Sequence, residues 1–450
     1  MLTRNAALAR LDQLLDAARK AGADSADAVY VGEESVGIGV RMGALEDIGR
    51  SEGEEIGLRL FVGTRSAQVS SSDLGASALD QMVERAVAMA AEAPEDSYAG
   101  LAPADLLAPG PFEEFDIFDA AAEGFSPATL KAMALEAEDA ARAIAGITNS
   151  EGGSASAGTS VMALATSTGF RAASRGSGFS VSAVVVAGEG GGMQRDYDYH
   201  QARHFADLEP PGSIGRSAGE RTIARLNPVK VETGPMPILF DQRVAASLIG
   251  HLLGAISGSS IARKTSFLLG HEDEQLFDSH IRIVDDPHRI RGLRSRSFDG
   301  EGLPTTARAL IDRGRLTGWL VNSASGRQLG LPPTGHASRG VNGPPGVSAS
   351  NLWLEAGSES PVQLMQDVKL GIYVTELIGM GINGLTGDYS RGAGGFLIRN
   401  GQLAEPVSEI TIAGNLLTMY KAMVPANDLR FRGAINSPSV RIDGMTVAGQ

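Results

Sequence analysis

Residues 241–264 read DQRVAASLIGHLLGAISGSSIARK, and the interpretation of the whole chain depends on this stretch. Asp241 follows the apolar run 236–240, a predicted strand, and therefore stands where a helix N-cap is expected. Apolar residues then recur at helical spacing, namely Val244, Leu248, Leu252, Ala255 and Ile256. We predict one helix over 241–264. His251 lies near its middle as a candidate metal ligand, so function depends on what accompanies that histidine.

Composition excludes several classes of protein. The 450 residues suffice for about three domains, and the formal net charge of -14 argues against nucleic acid or an anionic membrane as the main partner. The absence of cysteine excludes disulfides, a thiol nucleophile and thiolate zinc ligands. The N-terminus does not resemble a signal peptide, and no run approaches the roughly 20 apolar residues of a membrane span. We therefore expect a cytoplasmic protein.

The alternation of patterns predicts an α+β fold with four segments. Residues 1–95 form an N-terminal α+β domain, and residues 96–125, rich in Pro, Ala and Asp, form a linker or wrapped loop. Residues 126–227 form a central domain, and residues 228–450 a C-terminal domain. We expect small antiparallel sheets flanked by helices in the N-terminal region, and a larger strand-rich C-terminal domain with one central helix.

Two local signals are especially clear. An amphipathic helix opens the chain and stops near Gly22; its apolar stripe is Leu8, Leu11, Leu15 and Ala18. Asn400-Gly401 separates two strand-like runs, which predicts a hairpin with a type I′ turn.

Histidines give the candidate metal sites. His200 and His204 are four residues apart and would share a face on a helix. They continue out of a β region, however, and no obvious third ligand follows unless Asp207 serves. His271 opens the polar run HEDEQ, which lacks the second histidine of H-E-x-x-H and is interpreted as a solvated loop.

Glycine-rich loops give the candidate binding surfaces. His336 lies in the loop 334–340, and the run 384–395 is polar and dense in glycine. Such density lets another backbone approach closely, as a peptide would; the alternative is a bend that joins two core strands. The chain has neither the G-x-S-x-G elbow of serine hydrolases nor a G-x-x-x-x-G-K phosphate loop.

Six segments in order carry a resemblance to a known family. They are DDPH at 285–288, FDGEG at 298–302, TGHASRG at 334–340, TELIG at 375–379, GDYSRG at 387–392 and VPANDL at 424–429. Along nearly its whole length the chain resembles the TldD/PmbA family of peptidases, once called modulators of DNA gyrase. It is more similar to the PmbA, or TldE, branch than to TldD itself.

The resemblance implies a metal motif that is degenerate in this chain. TldD-type subunits carry H-E-x-x-x-H on the matching helix, and a cysteine near the C-terminus completes their zinc site. Here Ala246 stands at the first ligand, Ser247 at the general-base glutamate, and only His251 remains. The cysteine would fall within 430–436, and the chain has none. One histidine cannot hold a catalytic zinc ion, which normally takes three protein ligands, and serine cannot replace the carboxylate base.

The resemblance thus implies a subunit without catalytic residues or a cofactor of its own. We expect a TldD-type partner to supply zinc in a heterodimer that encloses a chamber and cleaves unfolded or leader peptides. Isolated PmbA-like chains can also form homodimers. Loops 334–340 and 384–395 are expected to line the channel for the peptide, through His336, Ser338, Arg339, Asp388, Tyr389, Ser390 and Arg391.

Two alternatives remain open. A self-sufficient metallopeptidase would use His200, His204 and a nearby carboxylate such as Asp207. A non-catalytic binding or scaffold protein would need no peptidase partner at all.

Overall fold

The computed structural model describes residues 1–272 and 274–449. Asp273 of the HEDEQ run and Gln450, the end of the predicted C-terminal domain, lie outside the described residues. The helices are α1 (Arg4–Lys20), α2 (Ala76–Glu92), α3 (Pro127–Arg142), α4 (Pro211–Ala224), α5 (Gln242–Ala255), α6 (Gly258–Ala262), α7 (Ser323–Leu329), α8 (Pro361–Met365) and α9 (Leu416–Lys421).

The strands fall into four sheets. They are β1 (Ser25–Arg41), β2 (Ala44–Val62), β3 (Arg65–Ser71), β4 (Ile147–Thr166), β5 (Arg171–Ala187), β6 (Gln194–Ala202), β7 (Gly234–Phe240), β8 (Ile283–Asp286), β9 (Arg308–Asp312), β10 (Arg315–Leu316), β11 (Ala337–Ser338), β12 (Gly346–Val347), β13 (Asn351–Leu354), β14 (Leu370–Ile378), β15 (Asp388–Arg399), β16 (Gln402–Asn415), β17 (Met423–Pro425), β18 (Ile435–Asn436) and β19 (Val440–Ala448). This mixture of helices and sheets confirms the α+β class.

One antiparallel sheet spans the N-terminal half of the chain, in the order β3-β2-β1-β4-β5-β6. Its strands come from both 1–95 and 126–227, because β1 pairs with β4 from Asp27↔Thr166 to Val40↔Gly153. The two segments therefore share a sheet instead of each forming a small one. The predicted domain boundaries themselves stay a prediction.

Two helix pairs cover this sheet over separate cores. Leu8 and Leu11 of α1 pack with Met82 of α2 in one core. Leu130 of α3 packs with Ile214 of α4 in the other. The opening helix is confirmed, since α1 ends at Lys20 and Gly22 takes a left-handed φ of 101°.

The C-terminal region is built around a closed ring of strands. A mixed sheet runs β16-β15-β14-β7-β19-β17, and a further pairing of β16 with β19 closes five of these strands into a ring. A second sheet has the order β10-β9-β8-β13-β18. Helix α5 shares one core with both sheets, for example through Leu248 beside Ile372 of β14 and Leu352 of β13. The predicted central helix is thus confirmed as α5, and α6 to α9 are shorter.

The single helix predicted over 241–264 is wrong at its C-terminal half. Helix α5 ends at Ala255, and α6 begins at Gly258. The break has a tertiary cause: Ser257 forms a β-bridge with Leu320, and the Gly258 N–H donates to the Leu320 carbonyl at 2.7 Å. A Cβ on Gly258 would lie 2.5 Å from Val321. The backbone therefore leaves the helix to pair with a distant segment.

The predicted helix N-cap at Asp241 and the predicted turn at Asn400-Gly401 are both confirmed. Asp241 caps α5, its carboxylate accepting from the Arg243 N–H at 2.9 Å. Asn400 and Gly401 take left-handed φ values of 50° and 80° between β15 and β16, as a type I′ turn requires.

Within the described residues, the helices are all too short or too polar to cross a membrane. The cytoplasmic location stays a prediction.

A buried ion triad joins the N-terminal sheet to the C-terminal region. Asp27 of β1 accepts from the Arg59 Nε at 2.6 Å and from the Arg339 Nε at 3.1 Å. All three side chains are buried. Removal of one member of such a group leaves charge uncompensated in a low-dielectric interior.

We expect Asp27→Asn to lower the free energy of unfolding by about 3–5 kcal/mol, because two buried guanidinium groups lose their counterion. The matched control is Asp12→Asn, which removes an exposed partner of Arg171 and is expected to cost at most about 1 kcal/mol. Urea unfolding of both variants measures the difference. Equal effects of the two substitutions would contradict this assignment.

Candidate functional site

Helix α5 places the three motif positions in different surroundings. Ala246 faces a cavity, and the Ser247 hydroxyl donates back to the Val244 carbonyl at 2.6 Å. The His251 ring lies edge-to-face with Tyr389, with ring centroids 6.1 Å apart. Its Nε2 is buried and has no hydrogen-bond partner in the described part of the chain. The three motif positions therefore have different neighbours.

The surroundings of His251 favour its neutral form. Burial, the larger cause, and the charge of the nearby Arg391 guanidinium together lower the pKa of His251 to about 4. The same burial and the same cation oppose the approach of a divalent metal ion, because a positive charge already faces the ring.

The residues present do not fit a zinc ion. A catalytic zinc site takes three protein ligands, and α5 offers one imidazole beside an alanine and a serine hydroxyl already bonded to the helix backbone. No group of three or more His, Cys, Asp or Glu side chains that could hold a metal occurs within 1–272 and 274–449. The expectation that this chain carries no cofactor stays a prediction.

A cavity of about 170 Å³ lies beside Ala246, between α5, β6 and the segment 430–437. Its charged lining consists of Arg221, Arg243, Arg430, Arg432, Asp198 and Asp241. We call it the α5 cavity. It brings together the first degenerate motif position and the segment in which the resemblance places the missing cysteine.

The outer edge of β6 forms one wall of the α5 cavity and is closed by side chains. The Tyr197 N–H donates to the carboxylate of Asp196 at 2.8 Å, and the Tyr199 N–H donates to that of Asp198 at 2.9 Å. The Tyr199 carbonyl accepts from Arg432 at 2.9 Å. Thus the backbone groups of an edge strand, which would otherwise pair with another chain, already have partners.

Asp198 remains ionised in this buried position. Burial raises its pKa, but a hydrogen bond from Ser217 and the charges of Arg221 and Arg432 outweigh that effect and leave the pKa below its usual value. Asp196 is buried in the same way and contacts Arg243 at 3.0 Å and Arg225 at 3.4 Å. Each aspartate is therefore shared by two arginines.

His200 and His204 do not share the face of a helix, because His200 lies on strand β6. Its Nδ1 accepts from the Glu209 N–H at 3.1 Å, and burial is the main cause that lowers its pKa. The His204 Nε2 lies 2.9 Å from the Asp116 carbonyl, while the Asp207 carboxylate accepts from Arg291. The structure agrees with the β context of this segment, and both rings already have hydrogen-bond partners.

The residues predicted for loop 334–340 are largely buried. His336 is 3% exposed, and its Nε2 lies 3.2 Å from the Asp285 carboxylate. Arg339 belongs to the triad with Asp27. Ser338 and Arg339 line a second, mainly apolar cavity of about 340 Å³, with Phe112 and Phe298 on its walls.

The run 384–395 resolves into a turn followed by strand β15. Tyr389 is 1% exposed, and its buried hydroxyl faces the Arg391 guanidinium. Asp388 accepts from Thr386 and Asn415, and Ser390 is exposed. Arg391 lies near His251. A role of these residues in a channel stays a prediction.

Sequence reasoning did not find the arginines of the α5 cavity, which come from three separate segments. One signal was visible: Asp196-Tyr197-Asp198-Tyr199 alternates acidic and aromatic residues in a predicted β region. Such alternation places both carboxylates on one face of a strand. Their partners could not be identified without the tertiary structure.

Comparison with known proteins gives one consistent result. Family models described as PmbA/TldA metallopeptidase match as domain 1 over residues 26–90, as the central domain over 121–226 and as the C-terminal domain over 233–449. Metalloprotease PmbA of Escherichia coli O157:H7 is 38% identical over 95% of this chain and 93% of its own length. The Haemophilus influenzae homologue is 35% identical over 97% and 94%.

Solved structures share the fold across the whole chain. A protein from Bacteroides thetaiotaomicron, described as a modulator of DNA gyrase, superposes with a TM-score of 0.92 at 26% identity and covers 100% of both chains. TldE from Thermococcus kodakarensis superposes with a TM-score of 0.87 at 20% identity, over 98% of this chain and 100% of the other.

The pKa of His251 predicts a pH dependence of stability. The imidazole titrates near 6.5 when unfolded and near 4 when folded, so the unfolded chain binds the extra proton between these values. The contribution of the neutral His251 ring to the free energy of unfolding is therefore fully present above about pH 6.5. It is lost as the pH falls towards 4. We expect His251→Phe to lose less stability than the parent between pH 7 and pH 5.

Urea unfolding at the two pH values checks this expectation. His280→Gln, which alters an exposed histidine beside Asp278, serves as the control and should follow the parent. If His251→Phe and the parent lost the same free energy of unfolding between pH 7 and pH 5, His251 would not be held neutral in the fold.

Proposed function

This chain belongs to the PmbA/TldD family of metallopeptidases, and from that premise we propose that it is the metal-free, TldE-like subunit of a heterodimeric peptidase. A TldD-type partner supplies the zinc ion, the nucleophilic water and the general base. The substrates are unfolded or leader peptides. One observation carries the proposal: α5 offers His251 alone, beside Ala246, Ser247 and the Arg391 cation.

The side chains of α5 lack the chemistry of peptide hydrolysis at a metal. A general base must reach the water from which it takes a proton, and the Ser247 hydroxyl instead donates to its own helix. The His251 imidazole is buried against Tyr389 and has no carboxylate that orients it among the described residues. This chain contributes no catalytic residue in the proposed complex.

The proposed contribution of this chain is structural and positional. It forms half the wall of a chamber in which the partner cleaves an extended peptide. The two cavities beside 295–300 and 430–437 are the concave surfaces that support such a role, since ligand sites are concave. The names of the relatives support a peptidase system, and the similarity to TldE supports a partner of the TldD type.

The alternative site at His200 and His204 has weaker support. Both rings are engaged by Glu209 and Asp116, and Asp207 is paired with Arg291. A metal ion there would have to displace these contacts. The scaffold alternative predicts no cleavage with any partner, so a reconstitution experiment separates it from our proposal.

The test is reconstitution of cleavage from purified subunits. We expect no chelator-sensitive cleavage of a fluorescent unfolded peptide by this chain alone, and cleavage once the TldD-type paralogue of the same genome is added. Because the α5 histidine is not catalytic in the proposal, His251→Phe should retain at least about half of the activity of the parent complex.

Two controls decide between the alternatives. The double variant His200→Ala, His204→Ala should leave cleavage by the complex unchanged. Chelator-sensitive cleavage by the isolated chain that disappears in this double variant would instead establish the self-sufficient peptidase. Absence of cleavage with every TldD-type paralogue would favour the scaffold.

A further inference from the structure

The α5 cavity concentrates positive charge in an acidic chain. The whole sequence has a formal net charge of -14, yet four arginines and only two aspartates line this cavity. Three of these arginines are paired with carboxylates: Arg221 and Arg432 contact Asp198, and Arg243 contacts Asp196. Arg430 has no ion-pair partner among the described residues, so its positive charge is left to attract an anion into the cavity.

Both aspartates of the wall are already occupied by donors of the protein. Asp198 accepts from Arg432 at 3.0 Å and lies 3.2 Å from Arg221. Asp241 accepts from the Arg243 N–H at 2.9 Å and from the Tyr373 hydroxyl at 2.6 Å. Their carboxylates are thus not free to neutralise a further cation.

Unused donors remain on the same wall. Arg430 is exposed, and no hydrogen bond or ion pair engages its guanidinium among the described residues. The Nε of Arg432 is buried and lacks a hydrogen-bond partner there, although its terminal nitrogens contact Asp198 and the half-exposed Glu209. These donors have the planar geometry that carboxylates match.

Two tyrosines of β6 also line the α5 cavity. Tyr197 and Tyr199 are 43% and 47% exposed, and their rings stack with centroids 6.2 Å apart. Exposed tyrosine supplies apolar contact area at a small cost in side-chain entropy. Because the outward backbone groups of β6 are already bonded to Asp196, Asp198 and Arg432, a peptide cannot extend the sheet here. A peptide bound at this edge must therefore be recognised by side chains of the protein.

We propose that the α5 cavity binds the carboxylate of a peptide, with Arg430 as its principal free ligand and the two tyrosines against the adjoining residue. The volume of about 170 Å³ corresponds to on the order of five water molecules, which suits one carboxylate and a few attached atoms. The peptide character of the ligand rests on the proposed function.

The experiment measures anisotropy of a labelled unstructured peptide with the full chain at low salt. Three peptides share one sequence without internal acidic residues: a free C-terminal carboxylate, a C-terminal amide, and the amide with one internal Glu. We expect the amide without Glu to bind about tenfold more weakly, because a charge-assisted hydrogen bond is lost. Binding of the Glu-containing amide would show that any carboxylate is accepted; its failure would restrict the site to the C-terminus.

Arg430→Gln should weaken binding of the free acid about tenfold for the same reason. Arg85→Gln, at an exposed arginine on α2, is the matched control and should have no effect. Ala246→Glu places a carboxylate on the cavity wall and should abolish binding by occupying the site itself. Binding that is insensitive to amidation, to Arg430→Gln and to Ala246→Glu would overturn the proposal, as would no binding.

These outcomes are independent of the reconstitution test. Failure of carboxylate binding with intact cleavage by the complex would refute the anion site alone. Carboxylate binding without cleavage by any complex would refute the proposed function alone.

Discussion

The outer edge of the six-stranded sheet is held against the C-terminal region by two buried aspartates, Asp196 and Asp198. Each bonds the N–H of the tyrosine that follows it and is shared by two arginines. Some of these arginines belong to α5 and to the segment 430–437, so the network fixes both against β6. The Asp27 triad joins the same sheet to the C-terminal region at strand β1. Loss of one member of such a group leaves a buried charge uncompensated and destabilises the fold.

The side chains of helix α5 serve packing and ion pairing. Its N-cap, its buried stripe and its place between the strand ring and the second sheet are those of a central structural helix. His251 is held neutral by burial and by Arg391.

Local features of the chain could be predicted from the sequence because their causes are local. The Asp241 cap, the Asn400-Gly401 turn and the helix that ends before Gly22 depend only on neighbouring residues. The end of α5 could not be predicted, because the bond from Gly258 to Leu320 joins segments far apart. The same holds for the pairing of β1 with β4 and for the arginines of the cavity. The incomplete metal motif could be recognised in the sequence. The different surroundings of Ala246, Ser247 and His251 could be seen only in the structure.

The central claim is that this chain cannot hold the zinc ion of the peptidase to which we assign it. Zinc stoichiometry, measured by elemental analysis after exhaustive buffer exchange, tests this claim most directly. The account predicts less than about 0.1 zinc per isolated chain and about one per heterodimer with a TldD-type partner, since only the partner offers the three ligands that zinc requires. Close to one tightly bound zinc per isolated chain would contradict it.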